Sequence, residues 1–242
     1  AGFPANWTSA FAGDYALDPN VVNDTAYSGT IIDDLQSLPT MSLVMDVDDW
    51  FGQSSDPASG GIIANTQGRG RAWEKLVSAE WLPAAGDPSS ATFQIDAGIR
   101  VHGNGSRNLN AQPKTSFRLS FRNDYGDARL DFPLFDDSQV ASFDSLVLRG
   151  GYDDGWSGLS GSTSAYLRNQ WLADTQLAMG QASTYGSFVH LYINGLYWGV
   201  YNISERPDAD FHAAYFGGQE EQYDAVNVFQ GTSNPDAIDG DL

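Results

Sequence analysis

The sequence predicts an α+β fold, in which a mostly antiparallel sheet carries one main helix that crosses between strands. Two segments of alternating apolar residues, 93–101 and 117–121, predict neighbouring strands joined by a glycine-bearing loop. An Asn194-Gly195 pair predicts a hairpin over residues 188–203, because both central residues of such a turn need positive φ. Apolar residues at helical spacing over 165–179 predict the main helix.

The first third of the chain predicts short elements. Residues 1–40 are polar and are interpreted as an N-terminal extension that holds a short helix within residues 23–38. An apolar run over 41–45 predicts the first strand, and residues 74–82 predict the second. The segment 52–72 is rich in Gly, Ser and Asn and predicts a loop between them.

Three acids follow the first predicted strand: Asp46, Asp48 and Asp49. Carboxylates at this spacing could ligate a hard cation, but the further oxygen ligands and the closing Glu of a calcium loop are missing. A solvated turn at the strand end is therefore the favoured interpretation.

The central segment concentrates basic residues on one predicted strand. If the alternation of residues 117–121 extends in both directions, Lys114, Arg118 and Arg122 share its polar face. On the preceding strand, Arg100 and His102 occupy the polar positions. The sequence therefore predicts that the lysine and two arginines lie on one side of one strand.

The later elements follow from the same patterns. A strand is predicted over 145–149, and the main helix is predicted to be buried on more than one side because its apolar residues form two strips. A short helix ends at Gly217-Gly218, and residues 223–229 predict a last strand. The two helix strips are formed by Leu167, Trp171 and Ala178, and by Leu172 and Met179. The predicted division of the chain is an extension over 1–40, one main region over 41–229 and an acidic, linker-like tail over 230–242.

Composition limits the classes of function. Hydrophobic residues make up 41% of the 242 residues, which is typical of a globular protein, and the chain has no cysteine, which excludes disulfides and thiolate chemistry. No apolar run approaches the roughly 20 residues of a membrane span. The chain begins at Ala1 without methionine or a secretory leader, so we expect a processed form.

The charge distribution favours a small anionic ligand. Net charge is -19, but residues 61–122 carry eight bases and four acids, whereas residues 1–60 carry nine acids and no base. The strongly acidic remainder would repel a nucleic acid, so we expect no nucleic-acid partner. A small anion held locally, such as a phosphate, fits this distribution better.

The loop between the two central strands could hold that phosphate. Glycines at 103 and 105 would let backbone N–H groups approach the phosphate oxygens, and Lys114 would supply a positive charge. The pattern is weak by itself, because glycine hairpin loops are common and a strand lysine is usually a solvated charge.

Other chemistry finds little support in the sequence. His102, His190 and His212 lack metal-ligand spacing and are predicted to be surface residues. No serine-hydrolase elbow or zinc-protease motif occurs. Sugar binding by the hairpin aromatics is a further alternative, although alternation predicts that some of them pack in the core: Tyr192, Tyr197, Trp198 and Tyr201.

Several motifs in the same order resemble the spore-coat CotH-type protein kinase family. They are GIRVHGNGSR (98–107) with PKTSFRLSFRNDYG (113–126), and FVHLYINGLYWGVYNISERPD (188–208) followed by DFHAAYFGG (210–218). The helical segment 164–181 and the early MSLVMDVDDWFG (41–52) match in type and order. The resemblance covers residues 41–229. It implies a fold like the N-terminal lobe of an atypical protein kinase, and an ATP-dependent, secreted or surface-associated kinase.

The resemblance also implies roles for particular residues. Lys114 matches the family's lysine that holds ATP phosphates, as a strand lysine does in protein kinases. The loop before it is implied to cover the nucleotide, and Glu205 and Arg206 match a motif near the nucleotide. The implied cofactors are ATP and Mg²⁺ or Mn²⁺ in the full-length protein, and the implied partner is an unidentified protein substrate. The nucleotide-binding candidates are Gly103, Asn104, Gly105, Ser106, Arg107, Lys114, Arg118, Glu205 and Arg206.

The sequence departs from the kinase pattern in two places. The main helix contains Asp174 but no glutamate, which leaves Glu80 and Glu205 as candidates to pair with Lys114. The family's Asp and Asn catalytic motif and its later metal-binding Asp do not occur before Leu242. We therefore assign no catalytic and no metal-binding residue, and expect a nucleotide-binding part that is inactive without the catalytic segment. The alternative is a non-catalytic adhesion or scaffolding module at the cell or spore surface.

Overall fold

The computed structural model describes residues 3–8, 11–109, 114–155, 161–227 and 236–239. Short 3-10 turns occur at Arg71–Trp73, Gly105–Arg107, Gly161–Thr163 and Glu220–Gln222. The strands are β1 (Asn6–Thr8), β2 (Phe11–Ala12), β3 (Thr40–Val44), β4 (Lys75–Leu82), β5 (Phe93–His102), β6 (Ser116–Ser120), β7 (Leu130–Asp131), β8 (Ser142–Phe143), β9 (Ser145–Arg149), β10 (Gly186–Ile193), β11 (Leu196–Ser204), β12 (Ala225–Asn227) and β13 (Asp236–Asp239). The helices are α1 (Pro19–Val22), α2 (Ile31–Gln36), α3 (Val47–Phe51), α4 (Arg168–Ala178) and α5 (Ala209–Phe216).

The main sheet is a closed seven-stranded barrel with the strand order β10-β11-β9-β6-β5-β4-β3. Parallel pairing of β3 with β10, from Thr40↔His190 to Leu43↔Ile193, closes it, and the other neighbours are antiparallel. The predicted fold class, an α+β antiparallel sheet with a crossing helix like the N-terminal lobe of a kinase, is therefore wrong. The prediction fails because β3 and β10 lie far apart in the chain, and no local pattern of residues indicates that they pair.

The predicted alternation fixes which side chains fill the barrel. Inward-facing residues of β5 and β6 are buried, and Phe117 and Leu119 have no exposed surface. The same core continues onto β9 and β11, where the Tyr201 ring stacks 6.1 Å from that of Phe117. Polar residues of these strands consequently face the outside of the barrel.

Helix α4 forms within the predicted segment, but its predicted burial is wrong. None of its residues is buried. Trp171 is 64% and Leu172 54% exposed, and the flanking Leu167 and Met179 are also exposed. The helix touches the barrel through its polar side, where the Gln170 side chain accepts a hydrogen bond from Asn202 at 2.9 Å.

The hairpin turn has the predicted geometry. Asn194 and Gly195 have φ of 50° and 79°. The Asn194 side chain also accepts a hydrogen bond from the Met45 N–H at 2.9 Å, which ties the turn to the end of β3. This contact fastens the hairpin at the seam where the barrel closes.

The chain leaves β11 through a capped helix. Asp208 accepts the N–H of Phe211 and caps α5, and Gly217, with φ of 78°, ends it. After α5, β12 pairs with β13 in a small antiparallel sheet. Phe229 and the predicted boundary of the main region at 229–230 lie outside the described residues, so the predicted division into three parts stays a prediction.

Candidate functional site

Lys114 lies just before β6, and its ammonium group is held mainly by aromatic rings. Its Nζ donates to the Tyr166 hydroxyl at 2.5 Å and to the Val200 carbonyl on β11. It also lies 4.9 Å and 4.6 Å from the ring centres of Tyr166 and Tyr201. Burial lowers the pKa of Lys114 to about 7, so the group is close to half charged at neutral pH.

The contact with Val200 also joins two parts of the barrel wall. The ladder between β9 and β11 ends at the pair Arg149↔Asn202, and Val200 lies beyond it. The Val200 carbonyl accepts from both Lys114 and Tyr166. Lys114 therefore has a structural role as well as its candidate role in phosphate binding.

The glycine loop is compact and needs glycine at its first position. Gly103 has φ of 102°, and a Cβ there would lie 2.1 Å from Ser106 Oγ. Asn104 accepts a hydrogen bond from Arg69 at 2.7 Å. The loop is therefore anchored to the segment that precedes β4.

Arg107 holds this loop in place from inside. It is 3% exposed and donates to the carbonyls of Thr66 and Gly68 at 2.8 Å, Val101 at 2.6 Å and Gly103 at 2.5 Å. The pKa of Arg107 is lowered to about 10, mainly by burial and in addition by the nearby Arg69 and Arg100. Its guanidinium is thus committed to the backbone, and in this structure it positions the loop.

The loop and the lysine lie at the same end of the barrel. A Cβ on Gly150 would lie 2.8 Å from the Lys114 carbonyl oxygen, and one on Gly105 would lie 3.3 Å from the Tyr152 hydroxyl. The segment from Gly150 to Tyr152 therefore runs between them. The structure places Lys114 and the loop next to the two ends of this short segment.

Arg118 lies on the outer face of the barrel, close to the carboxylates of Asp144 and Asp208. The side chain is 7% exposed, and its Nη2 lies 3.9 Å from Asp208 Oδ2, which also contacts Arg206 Nη1 at 2.6 Å. Among the described residues, Arg118 Nε has no hydrogen-bond partner. Burial lowers the pKa of Arg118 to about 10, and Arg206 and Arg100 act in the same direction.

His102 lies at the centre of this basic face. Arg118 stands directly opposite Arg100 across β5 and β6, and His102 is the next outward residue along β5. The pKa of His102 is lowered to about 3, mainly by burial and in addition by four positive groups: those of Arg206, Arg118, Arg100 and Arg149. These four arginines together with His102 are called the arginine cluster below.

Glu205 is buried beside the cluster and is engaged by hydrogen bonds. It is 4% exposed, and its carboxyl accepts the Tyr185 N–H at 2.8 Å and the Tyr215 hydroxyl at 2.7 Å. Burial raises the pKa of Glu205 to about 7, although these two hydrogen bonds oppose the shift. Burial likewise raises the pKa of Asp144, next to Asp208, to about 6.

The acids considered for a cation have other roles in the structure. Asp46 caps α3 by accepting the Asp48 N–H at 2.7 Å, and Asp49 pairs with Lys75 at 2.9 Å. Within the described residues, no group of three or more His, Cys, Asp or Glu is arranged to hold a metal ion.

The predicted nucleotide-binding residues fall into two groups. Lys114 and the loop 103–107 lie at one end of the barrel, whereas Arg118, Glu205 and Arg206 lie around its outer face. Sequence reasoning did not select Arg100, His102 or Arg149 as site residues. Their outward position in the strand alternation was the available signal for the first two. His190, predicted to be a surface residue, is instead buried and hydrogen-bonded to Tyr197 and to the Asp34 carbonyl.

Comparison with known protein families assigns the chain to one of them. No curated protein matches the chain. The sequence model described as CotH kinase protein matches residues 99–237, more than half of the chain, and includes the glycine loop, Lys114 and the hairpin exit. In the described part of the structure, no helix has the length and apolar character needed to cross a bilayer.

Because the family model matches more than half of its residues, the chain belongs to the CotH kinase protein family.

Proposed function

We propose that this chain is the nucleotide-binding part of a CotH-type atypical protein kinase, acting at the cell or spore surface on a protein substrate. The observation that carries the proposal is the family match over residues 99–237, which contain both groups of candidate residues. The shared location of the glycine loop and Lys114 supports it, because both would face one bound phosphate chain.

The side chains present suit binding of the phosphates of ATP better than binding of a divalent metal. Arg118 offers a buried guanidinium with an unpaired Nε, which suits a phosphate oxygen. In the full-length protein the metal would neutralise charge on the phosphates during transfer. The family's catalytic Asp and Asn motif is not among these 242 residues, so we propose binding of ATP, and not phosphoryl transfer, as their activity.

Titration calorimetry with ATP, with and without Mg²⁺, tests this proposal. Lys114→Met should weaken ATP binding about tenfold to a hundredfold, because a hydrogen bond to a charged group contributes about 1.5–3 kcal/mol. The matched control is Lys75→Met, which removes the other lysine of the chain, also buried and paired with Asp49. Equal weakening by both variants would show that Lys114 acts through stability alone, and absence of ATP binding in the parent protein would reject the proposal.

Proton uptake provides a second readout. A bound phosphate favours the charged form of Lys114, whose pKa of about 7 leaves it largely neutral at pH 8. Binding of ATP at pH 8 should therefore take up a fraction of a proton, measured as a dependence of the binding enthalpy on the buffer. The uptake should disappear in Lys114→Met and persist in Lys75→Met.

One observation favours the alternative function, a non-catalytic adhesion or scaffolding module. Four apolar side chains of α4 and its flanks are more than half exposed, as a partner-binding surface would require: Leu167, Trp171, Leu172 and Met179. If the parent protein failed to bind ATP while Trp171→Glu abolished attachment to cell or spore surfaces, the module interpretation would replace the kinase proposal.

A further inference from the structure

The chain contains two Asn-Gly pairs, Asn104-Gly105 in the glycine loop and Asn194-Gly195 in the hairpin turn. In such a pair the glycine nitrogen can attack the amide of the preceding side chain, because glycine has no Cβ to block the approach. The attack closes a five-membered imide ring and releases ammonia. Since both pairs have the same two residues, the surrounding structure decides which of them reacts.

The backbone of Asn104 is turned toward ring closure. Cβ and N of an L residue lie about 120° apart around Cα, so a planar ring requires ψ of roughly -120°. Asn104 has ψ of -84°, which is closer to this value than the ψ of a helical or an extended residue, at about -42° and +135°. Within the described residues, the Gly105 N–H donates to no backbone carbonyl, so its nitrogen is available for the attack.

Arg69 polarises the amide that would be attacked. Its Nη2 donates to Asn104 Oδ1 at 2.7 Å, and both residues are exposed, so water reaches the amide. This oxygen becomes negative when the nitrogen adds to Asn104 Cγ, and a guanidinium at hydrogen-bond distance stabilises that charge. Arg69 therefore stabilises the transition state more than it stabilises the starting amide.

The second pair is held in a geometry that opposes the same reaction. Asn194 and Gly195 both have positive φ, as in a type I′ turn, in which the first central residue has ψ of about +30°. This value directs the Asn194 Cβ away from the following nitrogen. Asn194 is also fixed by two hydrogen bonds, one from the Met45 N–H to its Oδ1 and one from its own N–H to the Leu43 carbonyl.

We propose that Asn104 is a site of self-modification, at which Arg69 promotes conversion of the amide into aspartate or isoaspartate. The Gly105 nitrogen gives its proton to a solvent base and bonds to Asn104 Cγ, and the Cγ–Nδ2 bond then breaks to release ammonia. Water adds to either carbonyl of the imide and opens the ring. Overall, one amide and one water give one carboxylate and one ammonium ion, so no oxidant or further reactant is needed.

Peptide mass spectrometry of the full chain, sampled during incubation at pH 7, is the first test. Asn104 should convert at least about tenfold faster than Asn194, because only its backbone and its donor favour the attack. In urea, where both segments lose their structure, the two rates should approach each other. Equal rates in the folded protein, no conversion of Asn104, or a difference that persists in urea would overturn the inference.

Replacing Arg69 tests its part in the reaction. Arg69→Met should slow conversion of Asn104 about threefold to tenfold in the folded protein, because the developing negative charge loses its partner, and should have no effect in urea. The control Arg71→Met removes a nearby exposed arginine that pairs with Asp124, and should leave the rate unchanged. An unchanged or faster rate in Arg69→Met, or equal slowing in both variants, would overturn the inference.

Gly105→Ala tests which nitrogen attacks. The added Cβ hinders the approach to Asn104 Cγ, so conversion should slow at least about tenfold. This Cβ would lie 3.3 Å from the Tyr152 hydroxyl, which requires only a small adjustment. An unchanged rate would mean that water hydrolyses the Asn104 amide directly, which would overturn the proposed reaction.

One consequence rests on the proposed function. The glycine loop is proposed to cover the phosphates of ATP, so a carboxylate at position 104 would repel them. Asn104→Asp should therefore weaken ATP binding about threefold to tenfold in calorimetry, with the uncharged Asn104→Gln as the control. A parent protein that fails to bind ATP would reject the proposed function, whereas the conversion rates, which are measured without ATP, decide this inference.

Discussion

Two buried arginines, Arg107 in the glycine loop and Arg118 on the outer face, show two different uses of the same side chain. Arg107 donates to four backbone carbonyls and is fully engaged by the protein. Arg118 is nearly as buried, yet its Nε has no hydrogen-bond partner among the described residues and its nearest carboxylate is shared. The comparison teaches that burial of a charge indicates a ligand site only where its hydrogen bonds are left unmade.

The largest expected effect on stability is that of replacing Arg107, the arginine of the glycine loop. Arg107→Met should lower the free energy of unfolding by about 3–5 kcal/mol, because four buried carbonyls lose their donor. Urea unfolding at pH 7 measures the change, with Arg71→Met as the exposed control. A loss below about 1 kcal/mol would mean that the carbonyls find other donors, and would break the contrast with Arg118.

A second effect depends on pH and lies beside the outer face. The pKa of Glu205 rises from its ordinary 4.5 to about 7 on folding, so the folded protein binds this proton more tightly. Its contribution to stability is complete below pH 4.5 and is lost as pH rises through 7, by roughly 3 kcal/mol. Asp144 acts with the same sign.

Glu205→Gln should therefore remove the contribution of Glu205 to the stability profile between pH 4.5 and 7. The opposing slopes due to Asp144 and His102 should remain, because the pKa of Asp144 is raised and that of His102 is lowered on folding. The amide can still accept from the Tyr185 N–H and donate to the Tyr215 hydroxyl, which then donates to Ser138. Thermal unfolding at several pH values measures the profile. An unchanged slope in the variant would show that Glu205 is already ionised in the folded protein.

The smallest expected change in stability is that caused by replacing Arg118, the second arginine of the comparison. Arg118→Met should alter the free energy of unfolding by less than about 1 kcal/mol, and in the direction of stability if repulsion from Arg100 dominates. The same urea experiment used for Arg107 measures it. A loss as large as that of Arg107→Met would show that Arg118 is a structural ion-pair partner of Asp208, and would contradict the contrast between the two arginines.

Local structure could be predicted from the sequence wherever one pattern decided it. The strands around Ile99 and Leu119, the turn at Asn194-Gly195 and the end of α5 at Gly217 are confirmed. Closure of the barrel could not be predicted, because pairing of β3 with β10 leaves no periodic signal in either strand. The exposure of Trp171 was missed because apolar spacing shows which face of a helix is apolar, but not whether anything covers it.

The residue types of the candidate site could be predicted from the sequence, but which of these residues lie together could be predicted less well. Alternation of residues along the predicted strand placed Lys114 and Arg118 on the same face. Lys114 in fact precedes β6, so strand alternation does not apply to it. Its Nζ turns to the aromatic rings, while Arg118 remains on the outer face. The importance of His102 depends on four arginines from β5, β6, β9 and the segment after β11, which only the folded barrel brings together.

Pairing of β3 with β10 also determines when the barrel can close during synthesis of the chain. The partners are about 150 residues apart, so β3 and β4 emerge long before the strand that completes the wall. Until then the growing sheet has an open edge, a known template for association with other chains. The family-matched segment 99–237 lacks β3 and β4, so by itself it would keep β5 and β10 as open edges. Residues 40–82 therefore supply the two strands, β3 and β4, that cover the exposed edges of β5 and β10.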